Sequence, residues 1–222
     1  MMIGARSGVK RVRLVVVGKN PGEPVKGSSE AIQYRNALKG ATLTDRKERL
    51  FNAMIALGES YHLDPLKAKN ELRQSGRYHE NLMNFLKKLL APKASGYEEV
   101  LDQVYFTEAL KCSTPKECGY GESMSLFSPK VRCKTKKCAP TLAKELAVFP
   151  NLKAVVALGL DSYAALSMYS DHEVFYLRHP SWFKENPEAE VKLRKLLTRK
   201  STSKHKKARI IREGSRAQYY GV

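Results

Sequence analysis

A chain of 222 residues, 42% hydrophobic and 28% charged, is long enough to bury a substantial core without disulfide or metal staples, and is composed like a globular protein. No apolar run approaches the roughly 20 residues that a helix needs to span a bilayer, and the basic N-terminus lacks a signal peptide's apolar stretch, so a cytoplasmic location is expected. The net charge of +18 makes nucleic acid the first partner to consider, ahead of an anionic membrane surface.

The first predicted element is a strand at Val12–Val17, a β-branched run bounded by Gly18, as expected of a buried parallel strand. It runs into Gly18-Lys19-Asn20-Pro21-Gly22-Glu23-Pro24. Asn, Pro and Gly are ordinary turn residues. Here they would also stand Asn20 at the carboxyl end of a sheet, where open α/β folds bind ligands. Helical spacing of Leu50, Phe51, Met54, Ile55 and Leu57 predicts a helix over Arg46–Leu57, with Gly58 as its C-terminal cap. The same spacing in Leu82, Phe85, Leu86, Leu89 and Leu90 predicts one over Tyr78–Leu90, stopped by Pro92. Further strands are expected at Val104–Leu110, Lys153–Leu158 and His172–Leu177, and further helices at Ala139–Val148, Ser162–Met168 and Glu188–Leu197. Strands separated by helices predict an α/β fold, a three-layer sandwich around a short parallel sheet of about four strands. One domain is expected over residues 10–197, with a Cys-rich insertion at 112–138 and a basic tail at 198–222.

From Thr198 onward eight Lys or Arg stand against one acid, Glu213. That tail is too polar to pack and reads as a solvated arm for phosphates. Subtracting its net +7 from +18 leaves +11, so the body is basic in its own right.

The segment Ser113–Lys137 fits no element. Cys112, Cys118, Cys133 and Cys138, the four cysteines of the chain, fall in or beside it with the spacing C-x5-C-x14-C-x4-C. Four thiols in one irregular loop point to a single metal centre rather than to disulfides or free thiols. Thiolates suit zinc or an iron–sulfur cluster. Neighbouring cations, among them Lys111, Lys116, Lys130 and Arg132, favour the thiolate form. A metal here would order a loop too poor in apolar residues to order itself.

The last predicted strand ends in Arg178-His179-Pro180-Ser181-Trp182-Phe183. A lone His in such a turn is usually structural. With Asn20 at the equivalent end of the first strand, His179 becomes half of a candidate active-site pair. Three blocks then resemble the uracil-DNA glycosylase superfamily, closest to its thermostable iron–sulfur branch, often called family 4. "GKNPGE" resembles the water-positioning loop, found as G-x-N-P-G in other branches. "VYFTEALKC", followed by "CAPTLAKELAVFPNLKAVVALG", resembles the stretch Y-[IF]-T-N-x-x-K-C…C-x-P-x-L and its strand ending A-L-G. "RHPSWFKENPE" resembles the H-P-[SA]-x-x-x-x-N-P loop. The blocks cover about half the chain, in the family's order.

The resemblance implies a monomeric DNA glycosylase of DNA repair, with DNA as partner and no obligate protein partner. It would hydrolyse the N-glycosidic bond of a deaminated or damaged base, uracil or a related one. His179 would donate to the anion developing on the base carbonyl, and Asn20 would align water through its amide. Lys19, Ser181, Trp182 and Phe183 would contact DNA, the two aromatics filling the gap left by the flipped base; core packing is the other reading of both rings. Tyr34 is the candidate to stack on the base.

Departures from the family pattern are informative. Glu108 stands where the family reads uracil with Asn. An ionised Glu only accepts, which suits an exocyclic amino group as on cytosine; holding uracil's carbonyl would require a protonated carboxyl. Lys19 replaces the Glu of the family-4 G-E-A-P-G loop, leaving Asn20, or Glu23, to serve the water. Family 4 has two cluster ligands near its N-terminus, and no Cys stands there in this chain. Cys112 and Cys138 match the other two ligands, and Cys118 and Cys133 would complete a self-contained site, which favours zinc over [4Fe–4S]. The rival reading is a nucleic-acid-binding protein on the same fold with altered catalysis.

Overall fold

The computed structural model describes residues 8–18, 32, 35–37, 39–40, 42, 45–66, 76–109, 140–159, 162–163, 166–167, 174–178, 180 and 187–198. Four strands form one parallel sheet: β1 (Leu14–Gly18), β2 (Val104–Glu108), β3 (Ala154–Leu158) and β4 (Val174–Leu177), in the order β2-β1-β3-β4. β1 is central, pairing Val16 with Phe106 on one side and with Val156 on the other. Both faces of the middle strands are covered, so β1 and β3 read as unbroken apolar runs rather than as alternations. β4 is an edge strand, and its Tyr176 is exposed.

The helices are α1 (Arg46–Leu63), α2 (Gly76–Leu90), α3 (Glu98–Leu101) and α4 (Pro187–Thr198). Residues 140–147 are also helical, as are 162–163 and 166–167. On one face of the sheet Leu14, Val16, Val104, Phe106 and Val156 pack with Leu82, Met83, Phe85 and Leu86 of α2 and Leu193, Leu196 and Leu197 of α4. On the other, Val15, Val17, Val155 and Ala157 pack with Leu142, Leu146, Phe149 and Leu166. The expected three-layer α/β sandwich is therefore the fold.

Strand ends move by one or two residues, β1 running Leu14–Gly18 and β2 stopping at Glu108, and the largest correction falls in the first helix. The first helix does not stop at a Gly58 cap but continues to Leu63. Glycine inside a helix costs about 1 kcal/mol relative to alanine, whereas Tyr61 and His62 beyond it are fully buried, and burying one large side chain contributes more than that. α3 is four residues long, too short to leave a periodic signal, yet it buries Val100 and Leu101. α4 begins with Pro187 and carries Glu188 and Glu190 in its first turn, both suited to a helix N-terminus.

This strand order fixes where a ligand can enter. The chain leaves β1 toward one edge for β2, then returns past β1 to build β3 and β4. The reversal makes β1/β3 the topological switch point, and its crevice opens at the carboxyl ends of the strands. Gly18 ends β1 there, and Gly159 follows β3 with φ of 82°, a left-handed conformation that glycine adopts without strain.

Candidate active site

Of the residues expected to act, Glu108 is described; Lys19, Asn20, Tyr34, His179, Ser181, Trp182, Phe183 and the four cysteines lie outside the described residues. Glu108 is the last residue of β2, buried, and in register with Gly18. Beyond that pair the Ala109 amide still donates to the Gly18 carbonyl at 2.9 Å. The carboxylate lies directly over Gly18: a Cβ placed there would overlap Glu108 Oε2 and stand 2.7 Å from its Cδ. Only glycine admits this placement. The residue that ends β1 thus makes room for the carboxylate, one step before Lys19 and two before Asn20.

Alternation along β2 puts Val104, Phe106 and Glu108 on the face covered by α1 and α2. Thr107 points the other way and donates to Glu145 Oε2 at 2.8 Å, tying β2 to the helical stretch at 140–147. Beside Glu108 stands Tyr78 of α2. Burial first, and the negative charge of Glu108 second, push its phenol well above the ordinary range. Tyr78 therefore remains a neutral O–H donor next to the carboxylate at any physiological pH.

Beneath them lies a buried polar pair that sequence reasoning missed. His62 of α1 and His79 of α2 are 2% and 3% exposed, and their Nδ1 atoms are 3.3 Å apart. One nitrogen must donate and the other accept, so the pair holds together only while at least one ring is neutral. His62 stacks on Phe106 at 4.3 Å, and Tyr61 and Tyr78 flank His79 at 5.7 and 5.1 Å. Burial holds both imidazoles below their usual pKa, His79 at about 4, and the charge of His79 depresses His62 further. The signal available in the sequence was two histidines at positions that pack inward on otherwise apolar helix faces.

Asn81, also on α2, donates from Nδ2 to the Pro180 carbonyl at 2.7 Å. Pro180 is buried and directly follows His179. One helix therefore carries both the neighbour of Glu108, Tyr78, and the tether of the backbone beside His179. A single side chain-to-carbonyl bond of this kind has no sequence signature.

Among the described residues no group of three or more His, Cys, Asp or Glu is arranged around a metal position, and no helix is long and apolar enough to cross a membrane. A cleft of about 480 Å³, lined by Arg11, Arg13 and Gln103 among others, lies at the amino ends of the strands, away from Glu108. Comparison with the curated proteins gives no match to this chain. Residues 6–202 match the family described as the Uracil DNA glycosylase superfamily. That span takes in every block of the resemblance, Glu108 and the whole parallel sheet, and the chain belongs to the uracil-DNA glycosylase superfamily.

Proposed function

We propose that the protein is a DNA glycosylase that hydrolyses the N-glycosidic bond of a deaminated or damaged base, uracil or a related one, in DNA repair. The observation that carries this is the buried Glu108 carboxylate over Gly18, at the carboxyl end of the sheet and at the mouth of the Asn20 loop, in a chain of this superfamily.

Cleavage leaves positive character on the sugar and negative charge on the departing base. In this reading His179 donates to the base carbonyl as the anion forms. Asn20 orients the attacking water through its amide without deprotonating it, and the proton released as water adds to the cationic sugar passes to the departing base anion or to solvent. Glu108 accepts from an N–H of the flipped base, with Tyr78 as its neutral neighbour. Lys19 and Ser181 bind backbone, Trp182 and Phe183 replace the extruded base in the stack, and Tyr34 stacks on it. The motif blocks favour the family-4 branch.

Four thiols among cations form a donor set that fits zinc or a [4Fe–4S] cluster. Cys112, Cys118, Cys133 and Cys138 would hold it as a structural clamp on the loop they share, and no chemical step needs it.

The test is incubation with oligonucleotides carrying uracil, hypoxanthine, xanthine or mismatches, followed by alkaline strand cleavage. His179→Ala and Asn20→Ala should each slow excision by roughly a hundredfold, the scale of losing one oxyanion donor, while DNA binding persists. Binding without excision of any base would favour the rival reading, a DNA-binding member of the family with altered catalysis.

A further inference from the structure

We propose that the cleft at the amino ends of β1, β2 and β3 is a second binding site for a nucleic-acid backbone, facing away from the base site. It is lined by Lys10, Arg11, Arg13 and Lys153 against the carboxylates of Glu99 and Asp102. Four cations to two acids, in a concave surface of about 480 Å³, concentrate positive potential where a phosphodiester can enter.

The cleft is built, not incidental. Arg13 donates to Gln103 Oε1 at 3.2 Å and to the Leu197 carbonyl, so its guanidinium fastens the end of α4 to the sheet. Asn151 Nδ2 donates to the Lys10 carbonyl at 2.8 Å, fixing the turn that presents Lys10 and Arg11. Arg11 reaches Asp102 only at 3.5 Å, in a solvent-exposed pair with Arg11 67% accessible. Exposed pairs of this kind contribute little to stability, so a phosphate competes for Arg11 at little cost.

Topology adds the second argument. A helix that follows a parallel strand runs back toward the strands' amino ends, and the Arg13–Leu197 bond places the end of α4 at this cleft. The last turn of α4 therefore stands at the cleft and not at Glu108, and in the sequence the eight cations after Thr198 follow directly on it. From Arg13 to Gly18 the strand rises roughly 16 Å, so the two ends of the sheet face different stretches of polymer. A chain with a base-reading end and a backbone-binding end can hold a new DNA segment before releasing the old one. The inference rests on DNA as the polymer that the base site serves.

The test uses the full chain and an undamaged 30-base-pair duplex. In Lys10→Ser/Arg11→Ser/Lys153→Ser the slope of log affinity against log salt should become shallower by roughly 2–3, near 0.9 for each phosphate no longer neutralised. Dissociation of the parent from labelled duplex should accelerate with unlabelled competitor, and in the triple variant should not. Arg13 is left in place because it secures α4. Glu99→Gln should move affinity the opposite way, which a folding defect would not do. Excision rates under saturating single-turnover conditions should be unchanged in both. A triple variant with the parent's salt slope and competitor dependence overturns the proposal, as does a parent that does not bind the duplex. Shifted slopes in a chain that excises no base would leave the cleft standing and remove the glycosylase reading instead.

Discussion

Taking the protein from pH 7 to pH 5 should cost it stability well before its carboxylates titrate, because of the His62–His79 pair. His79 goes from about 6.5 in the unfolded chain to about 4 in the fold, chiefly through burial. A histidine with a depressed folded pKa binds more protons when unfolded. Its contribution is complete above the unfolded pKa and is lost as pH falls from about 6.5 toward 4. At about 1.4 kcal/mol per pH unit, His79 alone accounts for roughly 2 kcal/mol by pH 5 and about 3 kcal/mol in full. His62, lowered by burial and by the charge of its partner, steepens the fall. The assay is urea unfolding at pH 7.5, 6.5, 5.5 and 5.0, a window in which ordinary Asp and Glu change little. Proton NMR of the ring Cε1–H should find two imidazoles still neutral at pH 5.5. In His62→Phe/His79→Phe the slope should flatten, with its size at pH 7.5 set by repacking against Phe106. Stability flat between pH 7 and 5 in the parent, or an unchanged slope in the double variant, would refute the reasoning.

Three other outcomes are expected. Asn81→Ala removes the bond to the Pro180 carbonyl, worth roughly 0.5–1.5 kcal/mol; single-turnover excision should slow about tenfold with affinity for DNA retained, and an unchanged rate would show that the tether does not serve His179. Gly18→Ala drives a Cβ into the Glu108 carboxylate, a movable side-chain end. The stability cost should be only about 1 kcal/mol while base preference shifts, and a preference equal to the parent's would detach Gly18 from Glu108. Purified protein should hold about one zinc or one iron–sulfur cluster per chain, and chelation should lower its melting temperature; metal-free protein with four titratable thiols and the same stability would refute the cysteine site.

The sheet was legible because its strands are buried on both faces, and burial on both faces writes itself as runs such as Leu14–Val17 and Ala154–Leu158. α2 was legible for the opposite reason, a strong one-sided stripe through Leu82, Phe85, Leu86 and Leu89. Where the pattern misled, a local signal lost to tertiary packing. Gly58 looks like a cap, but Tyr61 and His62 past it find buried places against α2 and β2. The motifs name Asn20, Glu108 and His179 as the candidate site, and of these Glu108 lies among the described residues, at the end of β2 against Gly18. Its supports, Tyr78, His79 and Asn81, sit on a helix with no motif, and what makes them a unit is their approach to β2 and Pro180 across the fold. Spacing along a chain does not encode that approach.

Glu108 is the position where the chemistry is most exposed to test. Glu is one methylene longer than the Asn of the motif that this stretch resembles, and in a packed strand end that length needs a place. Gly18 supplies it, since any side chain there would meet the carboxylate. The result is an acceptor that has Gly18 on one side and the neutral phenol of Tyr78 as a neighbour. Facing uracil, an ionised Glu108 would oppose the carbonyl and the anion that forms as the bond breaks. Facing a base with an exocyclic amino group, it would accept a hydrogen bond of the charged kind, worth about 1.5–3 kcal/mol. Glu108→Asn should therefore raise excision of uracil by one to two orders of magnitude and lower excision of the native base by a similar factor, read as single-turnover rates on matched oligonucleotides. Should the parent prove a uracil enzyme, Glu108 must be protonated there. Excision of uracil would then decline as pH rises through its folded pKa, and in Glu108→Gln that decline would vanish. Strong uracil excision by the parent, flat in pH and unimproved by Glu108→Asn, would mean that the carboxylate does not read the base.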